Sequence, residues 1–309
     1  MKHIYNTNFI DKSPKISYYV LGAFITDGCL YKRKNGNTYT FSLSSKDKDW
    51  IELIRDIISP TLPIRYRKNK NYYDIRGSNK YISNWLLNNN CVPRKSLILQ
   101  MPSIPNEYIF DFLRGVIDGD GSILYAKKQN KYCISICSAS KEFINNIQSV
   151  LKDNKINNSL YERKQKTDKI KNKIIHRNSS LYSVSINSKY AYKLSKLLYY
   201  NTTVPCLNRK YQTAIKIINH YESNNVTMNN VDSINMGSGE HNSNCKLSDN
   251  DVENILKKWL LFSADKKGSK SKFWRDYIKD HYTCSLSMCN FIIAGTFRKD
   301  IYSKIILNF

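Results

Sequence analysis

Long hydrophobic runs are missing from this chain. Nothing approaches the roughly 18 to 20 consecutive apolar residues that a spanning helix requires, so a helical membrane protein is not expected. Acidic residues are also scarce. Only 25 Asp and Glu stand against 49 Lys and Arg in 309 residues, a formal net charge of +24, which predicts a polyanionic partner and places nucleic acid ahead of a membrane surface. The eight cysteines contain no C-x-x-C pair and are accompanied by no His-x-x-x-His, so a zinc-finger pattern is absent, and His241 with Cys245 makes a poor metal pair. Cys133 and Cys137, in an apolar alternating run, read as small core residues. The N-terminus, Met1-Lys2-His3 followed by polar residues, lacks the apolar core of a signal peptide. Reduced thiols in a cytoplasm, an organelle matrix or a phage-infected bacterial cytoplasm are expected, and secretion is not.

The positive charge that is present is concentrated. Residues 122–220 carry 19 basic and 4 acidic side chains, whereas 221–240 carry no Lys or Arg at all. Compositional drift towards lysine would not spare one segment and load its neighbour, so the middle third is read as a functional basic surface.

One sequence feature organises the rest. Phe112-Leu113-Arg114-Gly115-Val116-Ile117-Asp118-Gly119-Asp120-Gly121-Ser122 is an apolar, helix-like run ending in carboxylates spaced by glycine, and Tyr19 to Cys29 aligns with it. Gly22 matches Gly115, Asp27 matches Asp120 and Gly28 matches Gly121, which indicates a duplicated unit. The chain between the copies supports this. Strand-like alternation at Leu30–Lys34 and Thr38–Ser44, with an Asn35-Gly36 turn between them, is followed by a helix over Lys46–Ile58. Short basic strands at Ile64–Arg67 and Tyr72–Arg76 then precede a helix over Asn79–Leu87. The second copy repeats the order, with strands near 122–126, 132–138, 159–164 and 181–187 and helices over Ser140–Leu151 and Lys189–Tyr200. Its extra length is expected as a basic loop from Lys164 to Arg177. The fold class is therefore α+β: pseudo-symmetric duplicated αββαββα units with two antiparallel sheets, and a small all-α C-terminal domain. The expected domains are 1–107 (with a polar lead-in over 1–17), 108–218, a linker arm 219–244, and a helix-turn-helix-like domain 245–309.

The repeated Gly-x-x-x-x-Asp-Gly has a chemical reading. Gly22 and Gly115 let two helices approach closely, which brings Asp27 and Asp120 together at helix C-termini. Two carboxylates at the negative ends of two helix dipoles repel each other, and a divalent cation, Mg²⁺ or Mn²⁺, would offset that repulsion.

Both motifs resemble those of the LAGLIDADG homing endonucleases in the monomeric, two-motif form. Leu113 to Gly121 fits the family pattern at nearly every position, and Val20 to Gly28 fits it more loosely, with Ile25 where the first acid usually stands. The resemblance covers about residues 15–218. It implies Asp27 and Asp120 as metal ligands and catalytic residues, with the backbones of Gly28 and Gly121 also in the metal site. Lys95 and Lys210, in Val92-Pro93-Arg94-Lys95-Ser96 and Arg209-Lys210-Tyr211, become candidates to orient water or stabilise phosphate charge. The family fold implies that the two antiparallel sheets are saddle sheets with concave faces along the major groove, so Thr40, Ser42, Arg65, Arg67, Arg76, Ser183 and Ser185 are expected to point towards DNA. Lys127, Lys128, Arg163 and Lys164 add to that basic surface, and Arg298 and Lys299 serve the C-terminal domain. The activity implied is site-specific double-strand DNA hydrolysis by an intron-encoded monomer, on a long asymmetric target, leaving short 3′ overhangs. The alternatives are an RNA-splicing maturase with intron RNA as partner, and a non-catalytic DNA-binding regulator; an intein is disfavoured by the missing splicing termini.

Overall fold

The computed structural model describes residues 3–32, 38–126, 131–164, 167–170, 173–176, 180–200, 203–233, 247–265 and 268–307. Two compact units emerge: residues 1–126 and 132–232 make up the first, and the second lies chiefly in 233–309.

The first unit contains both repeats. In the first repeat, α1 (Asn8–Lys12) leads into α2 (Pro14–Thr26), β1 (Gly28–Lys32), β2 (Tyr39–Ser45), α3 (Lys48–Ile58), β3 (Arg65–Arg67), β4 (Tyr72–Gly77) and α4 (Lys80–Asn88). The second runs α5 (Ile109–Asp120), β5 (Gly121–Ala126), β6 (Lys131–Ser138), α6 (Lys141–Asp153) and β7 (Ser159–Arg163). It continues through β8 (Thr167–Ile170), β9 (Lys173–His176), β10 (Leu181–Asn187), α7 (Lys189–Leu198) and α8 (Asn208–Glu222). The two large sheets have matching antiparallel topologies, β1-β2-β4-β3 and β5-β6-β10-β7. The duplication read from the motifs is thus a duplication of the whole fold.

Each sheet is backed by helices whose apolar residues recur at helical spacing. In α3, Trp50, Ile51, Ile54 and Ile58 are buried, and in α6 the corresponding stripe is Phe143, Ile144, Ile147 and Leu151. The ends are set by caps as well as by periodicity. The Asn79 carboxamide accepts from the Ile82 N–H at 3.0 Å, and the Ser140 hydroxyl accepts from the Phe143 N–H at 3.3 Å.

Four expectations need correction. The lead-in is not featureless, because α1 buries Phe9 against Trp85 with ring centroids 5.7 Å apart. The basic loop from Lys164 to Arg177 contains the β8–β9 hairpin. Cys133 and Cys137 are not core residues. Ile134 and Ile136 fill the core, while both thiols lie half-buried on the opposite, polar face, because strand alternation puts odd and even positions on different sides. Finally, the second repeat does not end at 218: α8 runs to Glu222, Val226 and Val231 are buried, and Asp232 pairs with Lys193 at 2.7 Å. The turn at Asn35-Gly36 and the pair His241 and Cys245 fall outside the described residues.

The second unit packs α9 (Asp249–Ala264), α10 (Lys270–Phe273) with its π-helical continuation Trp274–Ile278, α11 (Leu286–Ile293) and α12 (Lys299–Ile306) around Val252, Leu256, Phe273, Cys289 and Ile292. Ser248 opens α9 through a capping box with Asp251. The last helix, α12, has no counterpart in the sequence reading. Among the described residues, no helix is long and apolar enough to cross a membrane.

Candidate active site

The two motif helices, α2 and α5, cross at their glycines. A Cβ on Gly22 would lie 2.8 Å from the Val116 nitrogen and 3.0 Å from the Gly115 Cα, besides striking the Phe112 carbonyl oxygen. A Cβ on Gly115 would lie 2.9 Å from the Ala23 nitrogen and strike the Tyr19 carbonyl oxygen. The backbones touch directly. Gly22 and Gly115 therefore form the helix interface that their spacing predicted, and the close crossing decides where both helices end.

Those ends converge. A Cβ on Gly119 would lie 3.1 Å from Asp27 Oδ2, so the carboxylate closing the first motif rests against the last turn of the second. Burial, and then the charge of Asp120, pushes the Asp27 carboxyl up to about 7. Asp120 keeps solvent access, yet the protein packed around it also raises its carboxyl, against the opposing pull of Lys95 and Lys210. A partly open cavity of about 210 Å³ lies beside Asp120, lined among others by Thr26, Lys95, Ser96, Cys137 and Ser138.

Lys95 and Lys210 are buried, at 8% and 3% exposure, so neither is a solvated surface lysine. Lys210 Nζ donates to the carbonyl oxygens of Ile117 at 2.6 Å, Asp118 at 2.7 Å, Gly119 at 3.1 Å and Gly121 at 2.8 Å. Lys95 Nζ donates to the Gly28 oxygen. The ammonium groups thus bind backbone carbonyls where each motif helix passes into its first strand, and they sit at the negative ends of the dipoles. The Gly28 and Gly121 backbone oxygens, expected in the metal site, accept from these lysines. Burial lowers the Lys210 ammonium to about 8, with Asp118 and Asp27 pulling it back up.

Two buried charged residues escaped sequence reasoning. Asp118 is 1% exposed and accepts from the Tyr19 hydroxyl at 2.9 Å, the Tyr199 hydroxyl at 3.2 Å and the Leu207 N–H at 2.7 Å. It anchors the start of α8, the helix that carries Lys210. At the matching position the first repeat has apolar Ile25, and only a short 3-10 turn, Lys95–Leu97, follows there. Arg114 is fully buried and donates to the carbonyls of Pro205 at 2.9 Å and Leu198 at 2.8 Å and to Asp111 at 2.7 Å. A polar residue inside the apolar motif was the available signal for both.

The sheet residues divide. Ser42, Ser183 and Ser185 are half-buried on the polar faces, Arg67 is half-exposed, and Arg65, Arg76, Arg163 and Lys164 are exposed. Thr40 departs from expectation: it is 2% exposed, and its hydroxyl is buried by its neighbours without a hydrogen-bond partner among the described residues. Arg298 departs as well. It is 8% exposed, donates to the Leu247 carbonyl at 2.8 Å and pairs with Asp249, so it holds the second unit together and does not face solvent. Lys127, Lys128 and the side chain of Lys299 lie outside the described residues. Among the described residues, no group of three or more His, Cys, Asp or Glu side chains converges.

Comparison with known proteins agrees with the duplicated motif. A family model described as a LAGLIDADG-like domain matches residues 107–197, and one described as a WhiA LAGLIDADG-like domain matches residues 16–82. Together they take in just over half of the chain, one motif in each. An uncharacterized protein of Methanocaldococcus jannaschii is 25% identical over 194 residues, which are 59% of this chain and 66% of that protein. A probable translation initiation factor IF-2 of the same organism is 26% identical over 167 residues, 52% of this chain and 13% of that protein. This chain thus spans just under two thirds of the first relative and a small part of the second. Among solved structures, I-DmoI in complex with DNA and Ca is 19% identical with a TM-score of 0.43, covering 67% of this chain and 98% of that one. The homing endonuclease I-WcaI bound to its DNA recognition sequence is 18% identical with a TM-score of 0.43, covering 64% and 86%.

Proposed function

Because this chain belongs to the two-motif LAGLIDADG family, we propose that it is a site-specific double-strand DNA endonuclease that hydrolyses one phosphodiester on each strand. The observation that carries this reading is the retention of both motif-terminal acids, Asp27 and Asp120, where the helix ends meet. A DNA-binding scaffold without chemistry would have no use for an unfavourable pair of carboxylates in that place.

The residues fit a divalent cation. Two carboxylates with elevated affinity for protons, in no group of three or more His, Cys, Asp or Glu side chains among the described residues, would leave the remaining coordination to phosphate oxygens and water. That is the habit of Mg²⁺ and of Mn²⁺. Once bound, the cation supplies charge that offsets the carboxylates and polarises the scissile phosphate. Asp27 and Asp120 hold it. Lys95 and Lys210 fix the two helix ends and add positive potential where phosphates approach. The lowered Lys210 still carries most of its charge at neutral pH. A monomer with both repeats suits a long asymmetric duplex, cut to short 3′ overhangs, and an intron-encoded origin follows from the same family reading.

Incubation with duplex DNA spanning the uninterrupted host locus, with Mg²⁺ or Mn²⁺, tests this. Double-strand cleavage is expected, with loss of at least about 100-fold in Asp120→Asn. Equal cleavage by wild type and Asp120→Asn would overturn the assignment. Absence of cleavage with specific binding of intron RNA would favour the splicing maturase.

A further inference from the structure

On the polar face of the first sheet, a carboxylate is buried beneath two arginines. Asp74 in β4 is 1% exposed. Its Oδ1 accepts from Arg67 Nε at 3.2 Å, and its Oδ2 accepts from Arg67 Nη2 at 3.2 Å and from Arg76 Nε at 2.8 Å. Strand register explains the cluster. Asp74 faces Ser44 and Arg76 faces Ser42 across β2, while Arg67 comes from β3 opposite Tyr72, so all of them share one side of the sheet. The two arginine side chains remain 39% and 40% exposed.

A buried acid is an odd component for a surface meant only to attract phosphate. It cancels charge there, and it does so at the cost of its own desolvation. What it provides is orientation: Arg76, held through Nε, keeps both Nη groups for another partner, and Arg67, held through Nε and one Nη2 hydrogen, keeps Nη1 and the second Nη2 hydrogen, the edge whose fork matches O6 and N7 of guanine. On the reading of this chain as a groove-binding endonuclease, we propose that Arg67 and Arg76 read guanines in the half-site under the first repeat. Asp74 is the positioning residue that makes both arginines base-specific.

The second repeat lacks this device. By register, Ser183 faces Cys137 as Asp74 faces Ser44, and Ser185 faces Ser135 as Arg76 faces Ser42. Arg163, opposite Leu181, occupies the place of Arg67, opposite Tyr72. The arginine at the edge is kept, but its acid and its partner are replaced by serines, facing Cys137 and Ser135. Among the described residues, the acid-anchored arginine pair therefore occurs under the first repeat and not at the matching positions of the second, so the two half-sites are read with different chemistry.

The test is selection of bound duplexes from a randomised DNA library by the full chain, compared with Asp74→Ser, Arg76→Met and Arg67→Met. Asp74→Ser installs the residue that the second repeat carries. Wild type is expected to enrich guanine at positions confined to one half-site, with about 5- to 150-fold discrimination each. Each arginine variant should relax one of those positions, and Asp74→Ser should relax both while half the site remains unchanged. Uniform loss of affinity, with base preferences intact and a shallower salt dependence, would show phosphate contacts and overturn the proposal. Enrichment of a target without guanine in that half-site would also overturn it. Failure of wild type to select any duplex would overturn the endonuclease reading itself, a result distinguishable from either. Because base preference is read from the retained half-site as well, a variant that unfolds is recognised by losing both halves and is replaced by Asp74→Asn.

Discussion

The glycine crossing gives the sharpest quantitative prediction. In Gly115→Ala, the added methyl would lie 2.9 Å from the Ala23 nitrogen and closer still to the Tyr19 carbonyl oxygen, where an ordinary contact is about 3.5 Å. Both obstacles are backbone, so no side-chain rotation relieves them. The helices must separate by on the order of 1 Å, and overpacking of this kind costs about 1–3 kcal/mol, or somewhat more where backbone cannot yield. Local stability is only part of the consequence. The same separation displaces Asp120 from Asp27, and a misplacement of about 1 Å at reacting groups costs roughly 100-fold in rate. Urea denaturation should therefore show a loss of at least about 2 kcal/mol, and single-turnover cleavage with Mg²⁺ should fall by about two orders of magnitude under conditions where the variant is still folded. Gly22→Ala should behave in the same way, because its methyl meets Phe112, Val116 and Gly115 backbone. A Gly115→Ala protein within 0.5 kcal/mol of wild type and equally active would refute the direct-contact crossing as the device that assembles the site.

Two further outcomes follow from the charges around that crossing. Lys210→Met removes the donor to four carbonyl oxygens, and with one to three kcal/mol at stake for each polar group left buried without a partner, a loss of about 3–5 kcal/mol is expected by urea denaturation; a neutral result would mean water replaces the ammonium without penalty. The second concerns pH. Asp27 is raised to about 7 in the folded protein from an ordinary 3.8, so between those values the folded state holds a proton that the unfolded state has released. Its contribution to stability is therefore greatest at low pH and is lost as pH rises towards 7. A divalent cation competes with that proton, and thermal stabilisation by Mg²⁺ should be larger at pH 8 than at pH 5.5. Equal shifts at both pH values would remove Asp27 from the metal site.

Much of this architecture was legible because the chain contains its own comparison. Apolar periodicity alone could not have told a motif helix from any buried helix, but the paired Gly22 and Gly115 and the paired Asp27 and Asp120 reduced the ambiguity, and the glycine contacts confirm the crossing. Strand alternation correctly separated Ser183 and Ser185 from Val184 and Ile186. It failed for Cys133 and Cys137 because cysteine is compatible with either side of a sheet, and the decision rested on which neighbours were bulky. It failed differently for Thr40, where the face was right but crowding on that face covers the side chain. Arg298 resembled an exposed member of a basic pair, and nothing local reveals that it reaches Leu247, 51 residues away in sequence. Asp74 was invisible for the same reason. One acid in a basic strand looks like neutralising surface charge until register brings Arg67 and Arg76 onto it.

The buried lysines set the charge balance of the site. Lys95 and Lys210 oppose the charges of Asp27 and Asp120, and the proton favoured by Asp27 removes part of the negative charge near neutral pH. Without the lysines, two carboxylates and the exposed carbonyls of two helix ends would repel one another strongly enough to splay the crossing. With them, that repulsion is partly offset. A cation then raises the positive charge of the cluster, and a phosphate from the duplex is the natural counterion. On the endonuclease reading, metal and DNA should therefore each be bound more tightly in the presence of the other, a coupling that must be reciprocal because both act on one set of charges. Titration of a nicked or uncleavable duplex with and without Ca²⁺ measures one side of that coupling. Affinity for DNA that is indifferent to the cation would place the phosphates away from Asp27 and Asp120, and the charge argument for the site would fail with it.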